Sequence, residues 1–176
     1  MTGNFDIESV TKPTNKDINV VFSPSNNVTS YTYEIYKNNR KIDTVNINNN
    51  SETTINLNET GNYKIFVQTN LINGVTDTVT SGEYIIDKEA PKINISVKEI
   101  NINKTDEKDI ISCTANDNYS GNLTNKITTN LNDLTLDKVG KYNYTCIVQD
   151  EAGNIAKENA IINVTAPNTT IYIIQY

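Results

Sequence analysis

The sequence predicts an all-β chain of two tandem Greek-key β-sandwiches, and three observations predict it. Apolar residues recur with period 2 in nearly every segment, and no window carries a sustained helical stripe. Turn-forming residues return about every 8–12 positions, the rhythm of a sandwich. The spacing Leu-x3-Gly-x-Tyr occurs once in each half, as LNETGNY (57–63) and LDKVGKY (136–142), so two related sandwiches are expected rather than one mixed fold.

The elements follow in order. Ile18, Val20 and Phe22 alternate with Asn19 and Val21, and Tyr31, Tyr33 and Ile35 alternate with Thr32 and Glu34. Within YKNNRKI (36–42), Asn38-Asn39 separates two strand-like runs. Asn tolerates the positive φ of a tight hairpin, so a hairpin is predicted there. Tyr63, Ile65 and Val67 alternate with Lys64 and Phe66. In the repeated motif the Leu is expected to end one strand in the core and the Gly to permit the turn. The Tyr is then expected to start the next strand, with its hydroxyl bonded back to the loop just crossed. Leu57 with Tyr63, and Leu136 with Tyr142, are the two expected corners.

A boundary is expected in SGEYIIDKEAPKINI (81–95). Pro91 has no N–H for a ladder and restricts Ala90. The first domain is read as 1–87, the linker as 88–91 and the second domain as 92–166. Residues 167–176, with their apolar run Ile171 to Ile174, are read as an extension or the start of a further domain. In the second half Tyr142, Tyr144, Cys146 and Val148 alternate with Asn143, Thr145 and Ile147, then break at Asp150-Glu151-Ala152-Gly153-Asn154. That break reads as the turn between the last two strands.

Composition limits the functions. The 176 residues carry a net charge of −6, and the 15 basic residues are scattered. Nucleic-acid binding needs clustered Lys and Arg, so it is not expected. No apolar run reaches the roughly 20 residues of a bilayer span. No charged n-region and apolar h-region open the chain, which fits a piece of a longer secreted or surface protein. Histidine is absent, which removes the usual general base and the commonest zinc ligand. Nothing places two carboxylates across a cleft as a glycosidase requires, so no catalytic residues are assigned. About 30 residues are Asn, with nearly as many Ile and Thr, a bias that AT-rich coding produces without functional meaning.

The first half resembles a fibronectin-type-III or bacterial Ig-like domain, through the Leu57–Tyr63 spacing, although the proline common inside that motif is missing. The second half resembles the bacterial Ig-like domains of surface proteins. Its landmarks are Ala90-Pro91, Asp117-Asn118 with Gly121, Val139-Gly140-Lys141-Tyr142, and Asp150-Glu151-Ala152-Gly153-Asn154, with Gln149 where Thr is more usual. The resemblance implies a non-catalytic spacer or adhesion module of a secreted or cell-surface microbial protein, with protein or glycan as partner. The alternatives it leaves are an accessory binding module beside a cell-wall or glycan-active enzyme, and a phage virion decoration. No exposed aromatic platform for a glycan is evident from the sequence.

In the Ig-type strand order that the resemblance implies, Cys113 and Cys146 lie on strands B and F of opposite sheets. A disulfide there would be the staple of that fold; two buried free thiols are the alternative. The same order places the loop Asn116–Gly121 and the loop Asp150–Asn154 beside the linker. Asp87, Glu89, Asp117, Asp150 and Glu151 then become candidate calcium ligands at the domain junction, as in cadherin-like arrays. Against this, Asp-Asn and Asp-x-Ala-Gly-Asn are turn formers in their own right. About ten Asn-x-Ser/Thr sequons, for example at Asn27, Asn58, Asn143 and Asn163, would be used only in a source that glycosylates asparagine.

Overall fold

The computed structural model describes residues 2–10, 12–103 and 111–166. Strands and short turns carry the whole of it, with two 3-10 turns as its helical elements among the described residues. The chain divides into two compact units, Met1–Glu89 with Glu151–Asn154, and Ala90–Asp150 with Ile155–Tyr176. The expected extension at 167–176 lies outside the described residues.

The first unit contains β1 (Gly3–Phe5), β2 (Ile18–Pro24), β3 (Val28–Lys37), β4 (Arg40–Ile47), β5 (Thr53–Leu57), β6 (Gly61–Leu71), β7 (Thr76–Thr80) and β8 (Tyr84–Ile86). One sheet runs β1-β2-β5 and the other β4-β3-β6-β7, with β8 also on β6. All these pairings are antiparallel. The partner of β2 is β5 and that of β3 is β6, so the chain crosses between sheets as a Greek key does. This three-plus-four order is that of an Ig- or fibronectin-III-like sandwich.

The period-2 phase decides what is buried. Val20 and Phe22 of β2, Ile55 and Leu57 of β5, Tyr31 of β3, Ile65 and Val67 of β6, and Tyr84 and Ile86 of β8 are nearly or fully buried in one core. Each such side chain contributes about 1.5–3 kcal/mol when removed from water. Phe22 sits at the centre, 5.2 Å from Phe5 and 5.2 Å from Tyr31, ring centroid to centroid. The β3–β4 hairpin turns at Asn38 (φ 50°) and Asn39 (φ 63°), the double positive φ of a two-residue turn. At the far side of the core the Tyr84 hydroxyl donates to the Ile7 carbonyl.

The second unit contains β9 (Lys92–Ile95), β10 (Glu99–Asn103), β11 (Cys113–Asp117), β12 (Gly121–Asn122), β13 (Thr128–Thr129), β14 (Gly140–Gln149) and β15 (Ile155–Thr165). Its sheets run β12-β11-β9 and β10-β15-β14-β13. The β10–β15 pairing is parallel, with Ile100 opposite Ile162. Ile95, Ile102, Ile111, Tyr144, Cys146, Ile162 and Val164 form the main core, and Ala115, Leu123 and Val148 a smaller one.

One expectation fails here. No strand ends at Leu136. The preceding chain instead forms a 3-10 turn over Leu131–Asp133, with Asp133 N donating to Asn130 O and Leu134 N to Leu131 O. The Asn130 side chain then pins this turn to β14, its Oδ1 accepting from Thr145 N at 2.8 Å and its Nδ2 donating to Asn143 O at 3.0 Å. Leu136 still buries its side chain in the core, but from a coil. Among the described residues, the segment 131–136 thus holds a 3-10 turn and no strand.

Candidate functional site

The second unit's two sheets are joined covalently. Cys113 leaves β11 and Cys146 leaves β14, and their sulfurs form a disulfide with Cα atoms 6.6 Å apart and a sequence separation of 33. The phase of each strand aims both side chains inward. Cys146 is fully buried between Tyr144 and Val148 on the same face.

Both tyrosines of the repeated motif bond back across their loops. Tyr63 Oη donates to Glu59 O at 2.9 Å, and Tyr142 Oη donates to Lys138 O at 2.9 Å. Each bond reaches back four residues, past the glycine (Gly61 or Gly140) that opens β6 or β14. Tyr63 is buried, whereas Tyr142 is half-buried. Leu57 lies at the end of β5, inside the core.

The five candidate calcium ligands divide between the units. In the first, Asp87 is fully buried, its N–H donates to Thr14 O at 2.9 Å, and its Oδ1 accepts from Glu89 N at 3.1 Å. Glu89 and Glu151 are exposed. In the second, Asp117 and Asp150 are both buried, and carboxylate oxygens of the two lie within 4.8 Å. Asp117 Oδ1 accepts from Tyr119 N (2.9 Å) and Ser120 N (2.7 Å), closing the loop after β11 as an Asx turn. The pair thus combines a turn-forming role with two close, buried carboxylates, where like charges repel unless a cation or donors offset them.

The sequence reading missed an aromatic pair. Tyr36 and Phe66 stand out of phase with the core residues of β3 and β6, so they point to the solvent side of the sheet β4-β3-β6-β7. Their centroids lie 5.0 Å apart at 69°, and both are half-buried. A cleft of about 320 Å³ opens over them, lined by Thr32, Glu34, Tyr36, Phe66, Gln68 and Thr78. Glu34 accepts from Lys41 Nζ at 2.9 Å and from Tyr36 Oη at 3.2 Å. The lysine hydrogen bond holds its carboxyl below the ordinary range, against the opposing effect of burial, and raises Lys41 in turn. The signal was present in the alternation itself. Two aromatics of the wrong phase on paired strands share one outer face.

No family model and no curated protein matches this sequence. Solved structures do resemble it in fold. Fibronectin(III)-like modules of Clostridium thermocellum CbhA align over 99% of this chain and all of theirs, at 12% identity and TM-score 0.36. An amphioxus IgVJ-C2 molecule aligns over 89% of this chain and 99% of its own, at 11% identity and TM-score 0.45. A Ca2+-stabilized, ice-binding adhesin of an Antarctic bacterium aligns over 94% of this chain and 49% of its own, at 13% identity and TM-score 0.40. At such scores the likeness extends to neither ligand nor role. The strand orders themselves make this chain an all-β protein of Ig- and fibronectin-III-like sandwich build.

Proposed function

We propose that this chain is a non-catalytic structural module of a secreted or cell-surface microbial protein, projecting or positioning the domains joined to it. The observation that supports the reading is the Cys113–Cys146 bond between the two sheets of the second unit. Such a bond persists in an oxidising compartment. It also limits how far the chain extends under load, because the residues between the cysteines cannot pay out while it holds.

Pulling single molecules by their termini tests the reading. At roughly 3.5 Å per extended residue, the sequence separation of 33 corresponds to a little over 110 Å of chain. Oxidised protein should release that much less length than reduced protein when the second unit unfolds. Equal release in both states would remove the mechanical argument.

The close pair Asp117 and Asp150 favours a second element, a calcium ion that stiffens the module. Calcium takes six to eight oxygens and favours carboxylates. A melting temperature that rises by several degrees with calcium over chelator, and loses that rise in Asp150→Asn, is the expected result. Identical melting with calcium and chelator would refute it.

A further inference from the structure

The sheet β4-β3-β6-β7 packs one face on the core of the first unit and turns the other to solvent. We propose that this outer face is a binding site for a neutral glycan chain, stacked on Phe66 and Tyr36 and held by Glu34, Gln68 and Thr78. The inference is independent of the structural role above and of the disulfide.

A sugar ring has an apolar face of C–H groups and a rim of hydroxyls. A site for it needs an aromatic surface, acceptors and donors within one shallow patch. The alternation supplies all three. Phe66 lies opposite Glu34 across β6 and β3, and Tyr36 opposite Lys64. Gln68 lies opposite Thr78 across β6 and β7. The edge-on Tyr36–Phe66 packing fixes both rings without burying either completely, and a ring face carries the negative charge that C–H groups meet favourably.

The polar groups are similarly placed. Lys41 and Tyr36 each orient one oxygen of the Glu34 carboxylate, which leaves it lone pairs for ligand hydroxyls, since a carboxylate accepts at about four sites. The Gln68 amide and the Thr78 hydroxyl have no side-chain hydrogen bond among the described residues, so both have donors and acceptors to offer. Thr32 is tied to Asn46 at 2.6 Å and forms the floor beside them.

The charge of the face selects the occupant. Among the residues that line the cleft Glu34 alone is charged, and Lys41 balances it; exposed Lys64 stands at the margin opposite Tyr36, so the lining itself holds neither a polyanion nor a polycation. Its strands β3 and β6 are flanked by ladders on both sides, so an extended peptide cannot add to them through its backbone. What remains is a neutral polyhydroxyl held by side chains. The cleft of about 320 Å³ is at the small end of ligand sites, about 300–1,000 Å³, which suits a short stretch of a longer chain and a weak, repeatable contact.

The test is a titration of the full-length ¹⁵N-labelled chain, followed by amide resonances, with cellohexaose, maltohexaose and N-acetylchitohexaose in turn. Each is taken to roughly 10 mM, enough to reveal a millimolar Kd. At least one should shift the amides of residues 32–36, 66–68 and 78, with saturation. Phe66→Leu keeps apolar bulk but removes the ring, and should weaken binding by about tenfold, the equivalent of roughly 1.4 kcal/mol. Gln68→Ala, an exposed position, should weaken it several-fold with the rest of the spectrum unchanged, and carries the test if the Phe66 variant fails to fold. The proposal is overturned if no oligosaccharide shifts these amides, if the shifts map to another face, or if Gln68→Ala binds as tightly as the parent.

Discussion

Removing the disulfide should destabilise the second unit alone, by an amount that follows from chain entropy. The bond links residues 33 apart in sequence. Closing a loop of that length in the unfolded chain corresponds to about 3.7 kcal/mol at room temperature. Replacing fully buried Cys146 by alanine adds about 1 kcal/mol for the lost contacts. The double variant Cys113→Ala/Cys146→Ala should therefore lose about 4–5 kcal/mol, a drop of at least 15 °C in melting temperature for a domain of this size. Both cysteines lie in the second unit, so the first is an internal control. Native-state hydrogen exchange reads them separately. Amides of β14, such as those of Tyr144 and Val148, should lose protection by the stated amount. Amides of β3, such as those of Tyr31 and Tyr33, should change by less than about 0.5 kcal/mol, as distant sites do. A loss under about 1 kcal/mol in β14, or an equal loss in both units, would refute the reasoning.

The remaining predictions concern single groups. Tyr63→Phe deletes the hydroxyl that donates to Glu59 O, and should cost about 1 kcal/mol in denaturant melts; Tyr142→Phe should cost less because its ring is half-exposed. Gly82→Ala would bring a Cβ to 1.7 Å from Glu8 O and 2.5 Å from Ser9 Cβ, so the backbone must shift, and the melt should show a loss near the top of the roughly 1–3 kcal/mol range for overpacking. Burial, against a smaller opposing hydrogen bond from Ser81, pushes Tyr84 up to about 12. Its folded pKa lies above the unfolded value near 10 and its favoured form is the neutral phenol. That contribution is thus complete below pH 10 and is lost as pH rises from 10 through 12. Burial raises Tyr31 and Tyr33 as well, so tyrosinate absorbance should show a late-titrating class, stability of the first unit should fall over the same window, and Tyr84→Phe should reduce the amplitude of that class.

Much of the fold was legible because β-strands write their burial directly into sequence. Tyr63, Ile65 and Val67 alternate, and the structure buries each of them. Asn38-Asn39 reads as a tight turn because few other residues accept a positive φ twice in succession. The pairing of Cys113 with Cys146 could be read through the resemblance, since phase alone shows only that both face inward.

What was not legible depends on partners distant in sequence. Residues 131–136 contain alternating leucines, Leu134 and Leu136, yet local bonds from Asp133 N and Leu134 N to the Asn130 and Leu131 carbonyls hold the chain in a turn. Propensity cannot weigh that local gain against a ladder whose partner strand is unknown. Asn154 gives a second case. Its side-chain amide donates to Asp87 O at 2.9 Å and Glu89 O at 3.0 Å, so the turn Glu151–Asn154 belongs to the first unit. A loop's sequence does not reveal which core it serves. The pairing of Tyr36 with Phe66 likewise needs the β3–β6 register, which fixes which outward residues become neighbours.

The most direct test of the structural reading is the thiol content of the protein recovered from the cells that make it. Alkylation under denaturing, non-reducing conditions, followed by intact mass, counts free cysteines. The account predicts none, with two appearing after reduction, as befits a stapled module working in an oxidising compartment. Two free thiols in the native protein would contradict it.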